Sequence, residues 1–184
     1  MIDMIWGDKK IKRKIYDTGR IKFSSEQMIN PASINLRLGT TFQKINPHQY
    51  ISLGQKVEYQ KNRVGMELYR LNPGEFCLAT TKEEIIMPNN AAAFVQGRSS
   101  IGRIGLTVQN AGFIDPGFHG HITLELVNES PVPIYLESGY PVAQLVFFDC
   151  TKVKVPYQGK YNGQIDATES RMEQDKDKYG DLLK

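Results

Sequence analysis

The chain has 184 residues, 40% of them hydrophobic, with 23 Lys and Arg against 20 Asp and Glu, a net charge of +3. This is the composition of one domain with a core of its own, and its charge excludes a dedicated nucleic-acid binder, which needs a stronger basic field. Cys77, Cys150, His48, His119 and His121 show no CxxC or HxxxH spacing, which excludes a disulfide framework, a structural zinc finger and the zinc signature of metal-dependent nucleobase deaminases.

No apolar run approaches the roughly 18 residues of a membrane span. The basic residues Lys9, Lys10, Lys12, Arg13 and Lys14 are followed by no apolar segment of the signal-peptide kind. No membrane partner is expected, and the expected compartment is the cytoplasm.

The first predicted element is a helix over 8–18. Asp8 is placed to cap it, Ile11 and Ile15 stand at i and i+4, and Gly19 follows its end. From Pro31 to about Val155 the chain reads as short strands separated by turns. The clearest turns are Asn72-Pro73-Gly74, Met87-Pro88-Asn89, Asp115-Pro116-Gly117 and Glu137-Ser138-Gly139. Strand-like runs fall at 75–80, 92–96, 121–128 and 142–148. Many short strands at this spacing predict an all-β barrel or jelly roll. Residues 165–184 carry Asp166, Glu169, Glu173, Asp175, Asp177 and Asp181 against Arg171, Lys176, Lys178 and Lys184, with few apolar anchors. They are expected to form a mobile charged tail behind a domain of residues 1–164.

Within 121–127 the pattern alternates. Ile122, Leu124 and Leu126 share one face, while His121, Thr123 and Glu125 share the other. Glu125 therefore points away from the main apolar layer. It is either a carboxylate on a solvated face or a general acid/base in a pocket between sheets or subunits. Asp115 starts a Pro-Gly turn ten residues earlier. That turn would fold the 121–127 strand back beside 105–112, so that both carboxylates could face one cavity. Between two apolar strands, Gly97-Arg98-Ser99-Ser100-Ile101-Gly102-Arg103 offers hydroxyls and guanidinium groups suited to phosphate oxygens, or forms an ordinary loop. It lacks the Walker A spacing. Lys160, Tyr161 and Gln164 suit either a lid over phosphates or a surface tether.

Taken in order, these blocks resemble the dCTP deaminase branch of the trimeric dUTPase superfamily. The residues that carry the resemblance run from Pro31-Ala32-Ser33-Ile34-Asn35-Leu36-Arg37-Leu38-Gly39 through the Arg98–Arg103 block to Asn110-Ala111-Gly112-Phe113-Ile114-Asp115-Pro116-Gly117-Phe118. They continue with Ile122-Thr123-Leu124-Glu125, Ala143-Gln144-Leu145-Val146-Phe147 and Tyr157-Gln158-Gly159-Lys160-Tyr161 with Gln164.

The resemblance implies a distorted, jelly-roll-like, dUTPase-like β-barrel with a short N-terminal helix. It implies a homotrimer whose active sites are built from neighbouring subunits, and Mg²⁺ carried on a triphosphate, without zinc. Its substrates would be dCTP and dUTP. The Ala111-Gly112-Phe113-Ile114-Asp115 form is similar to that of dUTPases and bifunctional enzymes, while Glu125 and the Arg98–Arg103 block are of the deaminase type; together they imply deamination of dCTP coupled to hydrolysis to dUMP and pyrophosphate. The alternatives are a monofunctional dCTP deaminase, a dUTP diphosphatase, or a non-catalytic nucleotide-binding relative.

By the same resemblance Glu125 would move the proton of the attacking water, with Ser99 and Arg103 positioning that water. Asp115 would hold the 3′-hydroxyl. The backbone of Gln109, Asn110, Ala111 and Gly112 would read the pyrimidine. Arg98, Ser100, Gln144, Lys160 and Gln164 would take phosphate oxygens, and Tyr157 and Tyr161 would close the site. Two positions depart from the family pattern. Asn35 stands where an Asp is usual, which implies weaker handling of Mg²⁺. Asp166 stands near a usual Gly, and a carboxylate beside a triphosphate is unfavourable unless it faces outward or binds the metal.

Overall fold

Alternating apolar residues fold into antiparallel strands that bury one face. A computed structural model describes residues 4–64, 68–109 and 112–180. Among them lie twelve strands: β1 (Ile21–Lys22), β2 (Ile29–Asn30), β3 (Ser33–Ile45), β4 (Tyr59–Arg63), β5 (Tyr69–Leu71), β6 (Phe76–Ile86), β7 (Ala91–Gly97), β8 (Leu106–Gln109), β9 (Phe113–Ile114), β10 (His119–Asn128), β11 (Ile134–Leu136) and β12 (Pro141–Asp149). The short helices are α1 (Asp8–Ile11), α2 (Ser99–Gly102) and α3 (Asp175–Tyr179). The main sheet runs β8-β10-β6-β3-β12-β7-β9, and β5 pairs with β11 apart from it. The protein is thus mostly β with a short N-terminal helix, and its antiparallel sheet curls into a half-barrel.

The curl centres on β3. Its first half pairs with β12 (Ile34 opposite Leu145), its second half with β4 and β6, and the β6 register shifts between Leu38 and Phe42. Gly39 sits in that shift. A Cβ there would lie 2.4 Å from a Thr80 methyl and 3.1 Å from the Thr81 carbonyl oxygen, so the strands approach too closely for any side chain. Leu36, Phe42, Leu126 and Phe147 meet inside the curl with no exposure to solvent.

The N-terminal helix starts one residue earlier than expected at its cap. Gly7 holds the extended cap conformation and Asp8 lies inside the first turn, its carboxylate accepting the Lys9 N–H at 2.7 Å. The α-helical turn passes into a wider π turn over Lys12–Tyr16. Ile11 and Ile15 are both fully buried, as their spacing requires. Gly19 follows with φ +66°.

The four turns read from the sequence all separate strands. At Asp115-Pro116-Gly117 the Phe118 N–H donates to the Asp115 carbonyl at 3.1 Å, and Gly117 takes φ +86°, a conformation that favours glycine at this turn position. The chain then enters β10, which lies between β6 and β8, with Glu125 opposite Gln109 and Leu126 opposite Val108.

Candidate active site

β10 places Ile122, Leu124 and Leu126 in the core and leaves His121, Thr123 and Glu125 half-buried on its other face. That alternation runs unbroken through an irregularity in the pairing. Pairing with β6 jumps from His121 opposite Glu84 to Thr123 opposite Thr80, and the Thr81 hydroxyl accepts the Ile122 N–H at 2.9 Å. Thr123 and Glu125 point into a cleft of about 310 Å³.

Asp115, Tyr157, Tyr161 and Gln164 line the same cleft. The Asp115 turn seats the following segment, since the Tyr157 N–H donates to the Pro116 carbonyl at 2.9 Å. The Tyr157 ring stands 6.1 Å from that of Phe118. Gln164 is docked beside β10 through the His121 N–H, which donates to its carbonyl at 2.9 Å. Burial pushes the Glu125 carboxyl above its ordinary range. A carboxyl so shifted can hold and release a proton nearer neutral pH than a solvated one.

The other predicted residues that the structure describes do not line this cleft. Arg98 caps α2, and its guanidinium donates to the Pro141 carbonyl at 3.1 Å. Ser99, Ser100 and Arg103 are exposed around that helix. Ser100 faces a separate hollow with Ile104, Tyr135 and Tyr140. The Gln144 side-chain oxygen accepts the Ser33 hydroxyl at 3.0 Å, and an Asn30 amide donates to both Ser33 and Asn35. Lys160 is paired with Asp175 at 2.7 Å. Gln109 is exposed opposite Glu125, and Gly112 is buried with its carbonyl accepting the Val95 N–H at 2.8 Å. Asn110 and Ala111 lie outside the described residues.

Several polar cleft residues, Thr168 among them, carry no prediction from the sequence. Tyr59 arrives from β4, where nothing local marks it. Thr123 shares its strand face with Glu125, a signal that alternation does provide. Glu169 and Ser170 come from the acidic C-terminal stretch, which wraps the cleft. Asp166 there accepts the Thr41 hydroxyl at 2.8 Å and pairs with Lys61 at 3.0 Å and Arg63 at 3.1 Å. Gln43 donates to the Ala167 carbonyl. Ala167 is buried.

Comparison with known proteins bears on this arrangement. Residues 5–150 match the family model described as dCTP deaminase-like. The chain belongs to the dCTP deaminase-like family. Among curated relatives of this family, the Sulfurihydrogenibium sp. protein named "dCTP deaminase, dUMP-forming" is 40% identical over 182 residues, covering 95% of this chain and all of that one. A Streptomyces griseus protein of the same name is also 40% identical, covering 91% of this chain and 95% of its own. The fold is similar to that of the 2′-deoxycytidine 5′-triphosphate deaminase from Agrobacterium tumefaciens, with a TM-score of 0.64 at 21% identity. That match covers 81% of this chain and spans about half (49%) of the Agrobacterium chain.

Proposed function

We propose that this protein deaminates dCTP with water and hydrolyses the product at the same site, releasing ammonia, dUMP and pyrophosphate. The observation that carries the reading is the half-buried Glu125, its carboxyl raised by burial, in one cleft with Asp115. Family membership and two relatives named as dUMP-forming dCTP deaminases support it.

The cytosine C4 carbon must be attacked by water and must lose its amino group. Glu125 takes the water proton as the C–O bond forms and delivers it to N3. It then passes the second proton to the departing amino group, which leaves as ammonia. Asp115 accepts the 3′-hydroxyl of the sugar and orients a second water toward the α-phosphate. Tyr157 and Tyr161 wall the nucleoside end, and Gln164, expected at phosphate oxygens, lines the same cleft beside them.

A cleft of about 310 Å³ stands near the lower end of small-molecule pockets, roughly 300–1,000 Å³. It suits the nucleoside better than the whole triphosphate. Arg98, Ser99, Ser100, Arg103 and Gln144 are not among the cleft-lining residues. We therefore read the working unit as a barrel trimer in which a neighbouring subunit brings this block to the cleft. There Ser99 and Arg103 position the attacking water, an electrostatic contribution of about 3 kcal/mol per donor. Arg98, Ser100 and Gln144 take phosphate oxygens, and Lys160 joins them by leaving Asp175.

Mg²⁺ enters as part of the nucleotide substrate. Ser33, Asn35 and Gln144 form an uncharged row of oxygen-bearing side chains. They can meet metal-bound water but cannot neutralise the ion, which leaves that to the triphosphate. As a processor of free nucleotides, the enzyme is placed in the cytoplasm.

The test gives the purified protein dCTP or dUTP with Mg²⁺ and follows ammonia, dUTP, dUMP and pyrophosphate. We expect dCTP to yield ammonia, dUMP and pyrophosphate in equal amounts. Accumulation of dUTP alone would leave a monofunctional deaminase, and cleavage of dUTP without ammonia from dCTP would leave a diphosphatase.

A further inference from the structure

Residues 166–168 are hydrogen-bonded to three strands, and the segment continues as part of the cleft lining. Thr168, Glu169 and Ser170 line the cleft together with Glu125 and Asp115. At the far edge of this strap Asp166 is held by Thr41, Lys61 and Arg63, and Ala167 by Gln43. Those anchors lie on β3 and β4. The anchor on the catalytic strand itself is Thr123. Its hydroxyl accepts the Thr168 N–H at 3.0 Å and donates to the Gln164 side-chain oxygen at 3.4 Å. A threonine hydroxyl has one proton to give and two lone pairs to receive with, so it can hold both partners at once. It stands two residues before Glu125, on the same strand face and in the same cleft.

We propose that Thr123 is a positioning residue for the reaction: its hydroxyl fixes Gln164 and the Thr168 backbone so that the strap walls the nucleotide beside Glu125. The assignment rests on the functional reading above. Thr123 moves no proton of the substrate and acts through the segment it holds. Valine at this position keeps the branched shape and the strand preference but can neither accept nor donate. Serine keeps the hydroxyl and drops the methyl.

The test pairs kinetics with amide exchange on the full-length protein. In Thr123→Val, exchange of the Thr168 amide should be about tenfold faster than in the unmodified protein, the effect of losing hydrogen bonds of ordinary strength. The KM for dCTP should rise by a similar factor, with kcat within about twofold, because Glu125 is untouched. Thr123→Ser should restore both values. A merely structural threonine would lower thermal stability without splitting KM from kcat, and the hydroxyl would not rescue it. The assignment is overturned if Thr123→Val keeps both the KM and the Thr168 protection of an active wild type, or if Thr123→Ser behaves like Val. Should the wild type release no ammonia from dCTP, the functional reading fails by itself. In that case unchanged exchange in Thr123→Val would separately show that the hydroxyl does not hold the strap.

Discussion

Glu125 and Asp115 are both carboxylates of one cleft, and burial pushes the Glu125 carboxyl above its ordinary range. Its basic form therefore appears at higher pH than that of a solvated glutamate. The kcat/KM for deamination should rise through this raised value, and a pH–rate profile from about pH 4 to pH 8 should place the acidic limb above the ordinary Glu value of about 4.3. The same burial works against folding. The unfolded chain gives up the Glu125 proton first, so stability falls as pH rises from the ordinary value to the folded one. Glu125→Gln escapes that loss. We expect it to cut ammonia release about 10³-fold while melting no lower than the wild type at neutral pH, as paired activity and thermal unfolding measurements would read. Unchanged ammonia release would remove Glu125 from the mechanism. Alternation along 121–127 marked the face of this residue from the sequence. It left the choice between solvent and pocket open, because much of the cleft lining comes from residues distant in sequence, such as Ile45, Tyr59, Tyr157 and Glu169.

Among the elements, the Asp115-Pro116-Gly117 turn was legible because each residue has its own steric reason to be there. Its second task was not: Gly117 packs under the segment that carries Tyr157. A Cβ on Gly117 would lie 2.5 Å from the Pro156 Cβ and 3.1 Å from the Tyr157 nitrogen, at φ +86°. Gly117→Ala should lose about 1–3 kcal/mol in denaturant unfolding, from backbone strain and displaced packing, and should weaken substrate binding as Tyr157 moves. The bend of β3 and the irregularity between β10 and β6 were hidden for a related reason, since both are set by strands distant in sequence. The acidic stretch after 165 reads as solvated because its anchors are distant in sequence: Thr41, Gln43, Lys61 and Arg63 lie more than a hundred residues away, and Thr123 lies 45 from Thr168. Asp166 is turned to those anchors, and the Thr41 hydroxyl, followed by Lys61, holds its carboxyl below the usual range. A carboxylate depressed in this way adds stability above the ordinary Asp value and loses it as pH falls through the folded one. Lys61 and Arg63 are mostly exposed, so the contribution is small, within about 1 kcal/mol, and screened by salt. Asp166→Asn should speed amide exchange over 164–171 at low ionic strength, and the difference from wild type should shrink at about 1 M salt.

At the scale of the whole molecule, the chain keeps its two sets of predicted residues apart. Glu125 and Asp115 face the cleft, while Arg98, Ser99, Ser100 and Arg103 gather at α2. The +3 net charge is divided in a parallel way, because the stretch from 165 onward is acidic and the rest of the chain carries the surplus of Lys and Arg. If a trimer rejoins the two sets, each active site needs Glu125 from one subunit and Arg103 from the next. Glu125→Gln and Arg103→Ala should then each be inactive as pure proteins, although each retains the residue the other lacks. Unfolding and refolding an equal mixture should give hybrid trimers in which about a quarter of the sites pair an intact Glu125 with an intact Arg103, by chance assortment around a closed ring. We expect ammonia release to return to roughly that fraction of the wild-type rate, and to stay absent when the two proteins are mixed without unfolding. A site complete within one subunit predicts no recovery in either case, so the mixing experiment separates a shared site from a self-contained one without a structure of the assembly.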